Sequence, residues 1–192
     1  TSGLDGRIFE GKVTFKIKRY DLKEIPKLKT KIAINIGAPE IAFKTSFLPN
    51  DGVGLAREEF IIAEKIKVHP LALYHFKKLK AQSEKRKATA QNLKIIVKNI
   101  EDITVEHKDK REFFIKELAE GVAQIAAAFY PKEVIVRFSD FKTNEYRNLV
   151  GGEIFEEEEP NPMIGFRGAC RYLDKNFQPA FGMECEAIKR CR

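Results

Sequence analysis

The chain has 192 residues, 43% of them hydrophobic with 15 Phe, which is enough apolar material for one buried core. No apolar run approaches the roughly 20 residues of a spanning helix, and residues 1–5 lack the charged and apolar layout of a secretory signal, so the chain reads as cytoplasmic with no membrane partner. The three cysteines, Cys170, Cys185 and Cys191, are odd in number and form no CxxC pair, which argues against a disulfide framework and a zinc site and leaves them as buried or incidental thiols.

A formal charge of +7 raises nucleic acid as a partner. Most of the excess sits in one segment, where Lys77, Lys78, Lys80, Lys85, Arg86, Lys87, Lys94 and Lys98 face the single acid Glu84. Its scattered apolar residues read as helical, and no aromatic platform is interleaved. The segment is therefore expected to be a solvated helix face, and nucleic acid is not the expected ligand.

In chain order, Arg7-Ile8-Phe9-Glu10-Gly11-Lys12-Val13-Thr14-Phe15-Lys16-Ile17 alternates polar and apolar residues and predicts an exposed strand or hairpin, set off by Pro26. Residues 31–36 (Lys-Ile-Ala-Ile-Asn-Ile) read as a first core strand closed by Gly37-Ala38-Pro39, with a short helix over 40–47. The run Gly52-Val53-Gly54-Leu55-Ala56 is a second, buried parallel strand. About seventy helical residues follow, opening at 58–66 and restarting at Pro70. They end with a helix over 109–130, where Phe113, Phe114, Leu118, Val122, Ile125, Ala126 and Phe129 fall at helical spacing before Pro131. Val134-Ile135-Val136 is a third strand. An irregular loop with the acidic run Glu156-Glu157-Glu158-Glu159 comes next, and residues 181–192 read as a last helix.

The second and third strands each stop at an arginine, Arg57 and Arg137, which apolar packing does not explain. In a parallel sheet both would point into one mouth, as planar forks for a phosphoryl or carboxylate group. Arg167 lies in a third cluster, Asn161-Pro162-Met163-Ile164-Gly165-Phe166-Arg167. Asn35 and Asp140 occupy polar strand-end positions from which they would orient the arginines by hydrogen bonds. Glu58 and Glu59 read as helix-start charges that complement the dipole, and His69, His75 and His107 as structural or exposed residues.

Three segments carry a family resemblance: Leu48-Pro49-Asn50-Asp51-Gly52-Val53-Gly54-Leu55-Ala56-Arg57-Glu58-Glu59-Phe60, then Val134 onward through Ser139-Asp140-Phe141-Lys142-Thr143-Asn144-Glu145-Tyr146, and 159–171. They resemble the phosphoenolpyruvate synthase (pyruvate, water dikinase) branch of the PEP-utilising enzymes, over nearly the whole chain. Pyruvate phosphate dikinases and the phosphotransferase-system enzyme I share the Gly-Leu-x-Arg-x-Glu pattern. The run from Ser139 to Tyr146, followed by Asn148-Leu149-Val150-Gly151-Gly152, favours the synthase branch.

The resemblance implies an α/β fold: a partial (β/α)8 TIM barrel, its first three strands carrying a long helical insertion. Residues 1–30 would be a β-rich lead-in from a swivelling phosphohistidine domain, and residues 31–192 the N-terminal part of the PEP/pyruvate-binding barrel. The implied reaction turns ATP, pyruvate and water into AMP, phosphoenolpyruvate and phosphate through a phosphohistidine. Arg57 and Arg137 would hold the phosphoryl group as catalytic residues, and Arg167 would help to hold substrate. Mg2+ is the implied cofactor, with its ligands, the phosphohistidine and a catalytic cysteine outside these residues, so the chain alone is expected to be inactive. Assembly into an oligomer stays open. The alternatives are a pyruvate phosphate dikinase, or a non-catalytic binding module that meets an acidic partner through the basic helical insert.

Overall fold

Short parallel strands set the frame. In the computed structural model, β1 (Ile34–Ile36), β2 (Gly52–Arg57) and β3 (Glu133–Arg137) pair in the order β1-β2-β3, with β2 in the centre. The structure describes residues 28–85 and 91–191, together with 10–12, 14, 16–19, 21 and 26. It divides into two units, Thr1–Thr30 and Lys31–Arg192. Part of the strand or hairpin expected at 7–17 lies outside the described residues, and those that are described carry no strand.

Each strand is bounded by local chemistry. Gly52 opens β2 at φ +133, a left-handed conformation, and a Cβ there would sit 2.4 Å from the Glu133 carbonyl oxygen of β3. Only glycine allows that approach without strain. Register then runs from Gly52↔Glu133 to Arg57↔Arg137, with one irregularity between Val53 and Ala56. Along β3, Glu133, Ile135 and Arg137 are exposed while Val134 and Val136 are half-buried. Among the described residues β3 pairs with β2 alone, so its other edge and one face have no cover.

Between β1 and β2, the 3-10 turn Pro39–Ile41 runs into α1 (Ala42–Ser46). β2 passes directly into α2 (Glu58–Ile61), which widens into a π-turn at Ile62–Ile66. Then come α3 (Pro70–Tyr74), α4 (Phe76–Lys85), α5 (Gln91–Ile103) and α6 (Lys110–Phe129). The helix expected at Pro70 begins there, with His69 as its cap: His69 Nδ1 accepts the Leu71 N–H at 3.2 Å. Asp109 caps α6 by accepting the N–H groups of Arg111 at 2.9 Å and Glu112 at 3.4 Å, a contribution of about 1 kcal/mol. Beyond β3 follow α7 (Thr143–Arg147), the 3-10 turn Gly152–Ile154, α8 (Ala169–Leu173) and α9 (Gln178–Arg190). The chain is thus a mixed α/β structure, a small parallel sheet with many helices.

α6 joins two apolar clusters. Its Phe113, Phe114, Leu118 and Val122 enter a large helical core with Ile61, Leu73, Ile100, Phe177 and Met183. One turn further, Ile125 and Phe129 pack under the sheet with Ile36, Val53 and Ala56. The helical spacing read from the sequence therefore points one stripe at both layers. Of the cysteines, read as buried or incidental thiols, Cys170 and Cys185 are exposed and Cys191 is half-buried, all three as free thiols. Among the described residues, no helix is long and apolar enough to cross a membrane.

Candidate functional site

Because β2 and β3 are parallel and paired as Arg57↔Arg137, both arginines leave the sheet at its C-terminal end. Together with Arg167 and Asp140 they line one pocket of about 580 Å3, whose walls include Phe60, Phe141 and Leu149. Of the five residues singled out from the sequence, four meet here. Asn35 does not: it is exposed on β1, does not line the pocket, and makes no side-chain hydrogen bond among the described residues.

Two of the three arginines are already held. Arg137 donates from Nη2 to Glu59 Oε1 at 2.5 Å and lies 3.4 Å, Nη1 to Oδ2, from Asp140. The same Glu59 oxygen accepts the Asp140 backbone N–H at 2.8 Å, so one carboxylate fixes both the strand-end arginine and the turn after it. Arg167 makes a bidentate pair with Asp140, Nε to Oδ1 at 3.0 Å and Nη2 to Oδ2 at 2.9 Å. Those bonds, then the charges of Arg167 and Arg137, outweigh burial and hold the Asp140 carboxyl below its ordinary pKa. Arg57 is different. Its Nε is buried without a hydrogen-bond partner among the described residues, and its guanidinium lies 5.5 Å from the centre of the Phe60 ring.

Glu59 was read as helix-start charge, but its position two residues after Arg57 in the Gly-Leu-x-Arg-x-Glu pattern could have marked it as a partner. Glu58 departs further from that reading. It is 1% exposed, and both carboxyl oxygens lack hydrogen-bond partners among the described residues. Burial, then the charges of Glu184 and Glu59, push its carboxyl well above the usual range. Glu184, fully buried on α9, is pushed up to about 7 by its own burial, although the Ser139 hydroxyl (2.6 Å) and N–H (3.2 Å) donate to it. Because the Ser139 hydroxyl proton points at Glu184, the Tyr146 hydroxyl 2.7 Å away donates to Ser139.

The run from Ser139 to Tyr146 is thereby explained as a scaffold. Ser139 anchors to α9, Asp140 clamps Arg167, and Glu145 accepts the Lys142 N–H at 2.7 Å to start α7. Thr143 donates to Glu159 at 2.5 Å, while the other Glu159 oxygen accepts the Phe166 N–H at 2.9 Å. That closes the Arg167 loop tightly enough that a Cβ on Gly165 would lie 1.9 Å from Glu159 Oε2.

A second polar layer lies behind the loop. Arg171, 1% exposed, pairs with Glu156 at 2.5 and 2.9 Å and donates twice to the Phe166 carbonyl, at 3.1 and 2.8 Å. Its guanidinium is also within 5.0 Å of the Tyr146, Phe166 and Phe177 ring centres. The buried His69 lies 3.0 Å from Glu156 through Nε2. Since His69 Nδ1 accepts the Leu71 N–H, Nε2 carries the proton. Burial lowers the His69 pKa and keeps the ring neutral.

As a chemical object, the pocket is a cationic recess at the C-terminal end of a parallel sheet, a place for an anionic ligand. Of its carboxylates, Glu59 and Asp140 are engaged with arginines and Glu145 with Lys142, and no group of three or more His, Cys, Asp or Glu among the described residues is placed to hold a metal ion. These residues do not form a magnesium site by themselves.

Residues 15–192 match the family model described as PEP-utilising enzyme, PEP-binding domain, and the chain belongs to that family. It is 49% identical to a phosphoenolpyruvate synthase of Aquifex aeolicus, over 99% of this chain and 26% of the relative. To the phosphoenolpyruvate synthase of Synechocystis it is 47% identical, over 100% of the chain and 22% of the relative. To that of Escherichia coli it is 45% identical, over 99% and 22%. The chain thus spans about a quarter of the length of the curated relatives it matches.

Proposed function

We propose that this chain supplies the arginines that bind the phosphoryl and carboxylate groups of phosphoenolpyruvate and pyruvate in a cytoplasmic pyruvate, water dikinase. The observation that carries the reading is Arg57: a buried, unpartnered guanidinium nitrogen beside a register-paired Arg137, in a pocket sized for a small ligand. In the reaction, the enolate oxygen of pyruvate forms a bond to the phosphorus of a phosphohistidine as the N–P bond breaks. Fixed guanidinium groups stabilise charge on both partners. Arg57 and Arg137 act on the phosphoryl group and Arg167 on the substrate, with Asp140 and Glu59 holding the last two in place. Bound magnesium would add electrostatic stabilisation from ligands on other segments.

The same reading takes the three strands as the first part of a (β/α)8 barrel, whose next strand would cover the open edge of β3. It takes residues 1–30 as the lead-in from the phosphohistidine domain. Titration calorimetry of the chain with phosphoenolpyruvate tests the clamp. Arg57→Ala removes a charge-assisted contact of about 1.5–3 kcal/mol, so Kd should rise roughly 10- to 150-fold. An unchanged Kd would sink the assignment.

A further inference from the structure

A second cavity, about 570 Å3, opens where α4 follows α3 and where α6 begins, and it shares no residue with the arginine pocket. Lys77 and Lys78 line it from the first turn of α4 and Lys108 from the segment before α6; all three are exposed. None of the three side chains makes an ion pair or hydrogen bond among the described residues. Lys110 and Arg111 also line it, and both are tied to neutral acceptors. Lys110 Nζ donates to the carbonyls of Thr104 at 3.0 Å and His107 at 2.8 Å. The Arg111 guanidinium lies 3.9 Å over the Tyr74 ring, with Nε 3.4 Å from the Tyr74 carbonyl. Their charges are therefore held in place but not neutralised.

Asp109 is the one carboxylate in the lining, and its Oδ1 is engaged in capping α6. The acids nearby form their ion pairs elsewhere, Glu101 with Lys80 and Glu112 with Arg190, although the Glu101 charge also reaches Lys110. The excess field reaches His75 in the same lining, whose pKa is lowered first by burial and then by the charges of Lys78 and Arg111. The N-terminal end of the 20-residue α6 adds a positive partial charge.

We propose that this cavity is a binding site for a polyphosphate group. Five cations around one recess exceed what a single phosphate dianion can engage, and three of them are mobile ammonium donors suited to a chain of phosphate oxygens. A nucleic-acid strand fits less well: Arg111 covers a face of Tyr74, Phe76 is buried, and the half-buried His75 ring already stacks on Phe155, which leaves little stacking platform in the lining. The phosphate chain could be inorganic or the tail of a nucleotide.

Lysine-acetylation footprinting of the chain, read residue by residue by mass spectrometry, tests the proposal with tripolyphosphate, ATP and a single-stranded oligonucleotide as probes. At about ten times Kd, tripolyphosphate should slow acetylation of Lys77, Lys78 and Lys108 about tenfold, leaving the exposed Lys44 and Lys116 unchanged. Equal midpoints for ATP and tripolyphosphate would assign the site to the phosphate chain alone, and a much lower midpoint for ATP to a nucleotide. Lys78→Glu should raise the midpoint for Lys77 and Lys108 at least about tenfold, with unchanged far-ultraviolet circular dichroism. No protection, equal protection of every lysine, a silent Lys78→Glu, or stronger protection by the oligonucleotide would each overturn it.

Discussion

Replacing Arg171 by Met probes what holds the Arg167 loop in place. The guanidinium makes two bonds to Glu156 and two to the Phe166 carbonyl, the residue before Arg167. Met fills much of the same volume, so the cavity cost is small and the loss is mainly electrostatic. A buried carboxylate left without its cation costs about 3–5 kcal/mol, a large part of the roughly 5–15 kcal/mol that keeps a domain folded. Urea unfolding at pH 7 should show that loss as a lower midpoint at unchanged slope. In the double variant Glu156→Gln/Arg171→Met no buried charge remains, and Gln can still accept from His69 Nε2, so most of the loss should be recovered.

The pH dependence follows with a definite sign. Burial alone would raise the Glu156 carboxyl, but hydrogen bonds from His69 and Arg171, with the arginine's charge, hold it below the ordinary carboxylate value. A depressed carboxyl contributes stability above its unfolded pKa and loses it as pH falls through the folded value. In Arg171→Met the Glu156 pKa instead rises with burial, and His69, freed from the arginine's repulsion, protonates more readily beside it. The deficit of the variant should therefore shrink as the pH is lowered from 7 towards 4. A deficit under about 1 kcal/mol at pH 7, or one that does not change with pH, would refute the view that Arg171 chiefly compensates a buried charge.

If the proposed reading holds, then in a full-length enzyme that contains this chain Arg137→Lys keeps the charge but loses the fork that would reach Glu59 and a ligand together. Turnover should fall roughly 10- to 150-fold, while neutralising Lys77, Lys78 and Lys80 should leave it nearly unchanged. Gly165→Ala places a Cβ 1.9 Å from Glu159 Oε2. Glu159 must then release Phe166 or Thr143, and phosphoenolpyruvate affinity measured by calorimetry should drop about tenfold with helix content unchanged. Phe114→Ala, at a fully buried position of α6, should cost about 3–5 kcal/mol in urea unfolding.

How legible all this was depends on whether the cause is local. The α6 stripe, the Pro70 start and the strand positions rest on periodicity and capping within a few residues, and the structure differs from them by only one to three residues at most ends. α7 and α8 went unread because each is a five-residue helix, too short to show a helical period, and side-chain bonds hold both: Glu145 and Tyr146 answer to Lys142 and Ser139 a few residues before them, and Arg171 to Glu156, fifteen residues away. Arg57, Arg137, Asp140 and Arg167 were legible as chemistry out of place at strand ends and in loops. Glu59 and Glu156 were not, because an acid at a helix start or within an acidic run looks like solvated charge until the fold shows what faces it. Asn35 errs the other way: its strand-end position resembles that of Asp140, yet β1 carries it outside the pocket.

The division of labour among the three arginines has an electrostatic reason. Guanidinium groups sharing one recess repel by about 2 kcal/mol per pair at separations near 7 Å and an effective dielectric of about 20. Full compensation would remove that cost, but it would also remove the attraction for an anion. Glu59 and Asp140 compensate Arg137 and Arg167 and fix their orientation, leaving Arg57 with a buried Nε that no protein group satisfies. A ligand oxygen reaching Arg57 gains a bond without displacing a carboxylate, while the other two forks need no reordering to meet it. On the proposed reading, the pocket keeps its geometry through two ion pairs and draws its affinity from Arg57, the arginine of the three with no carboxylate partner among the described residues, and a second carboxylate beside Arg57 would stabilise the empty protein at the expense of binding.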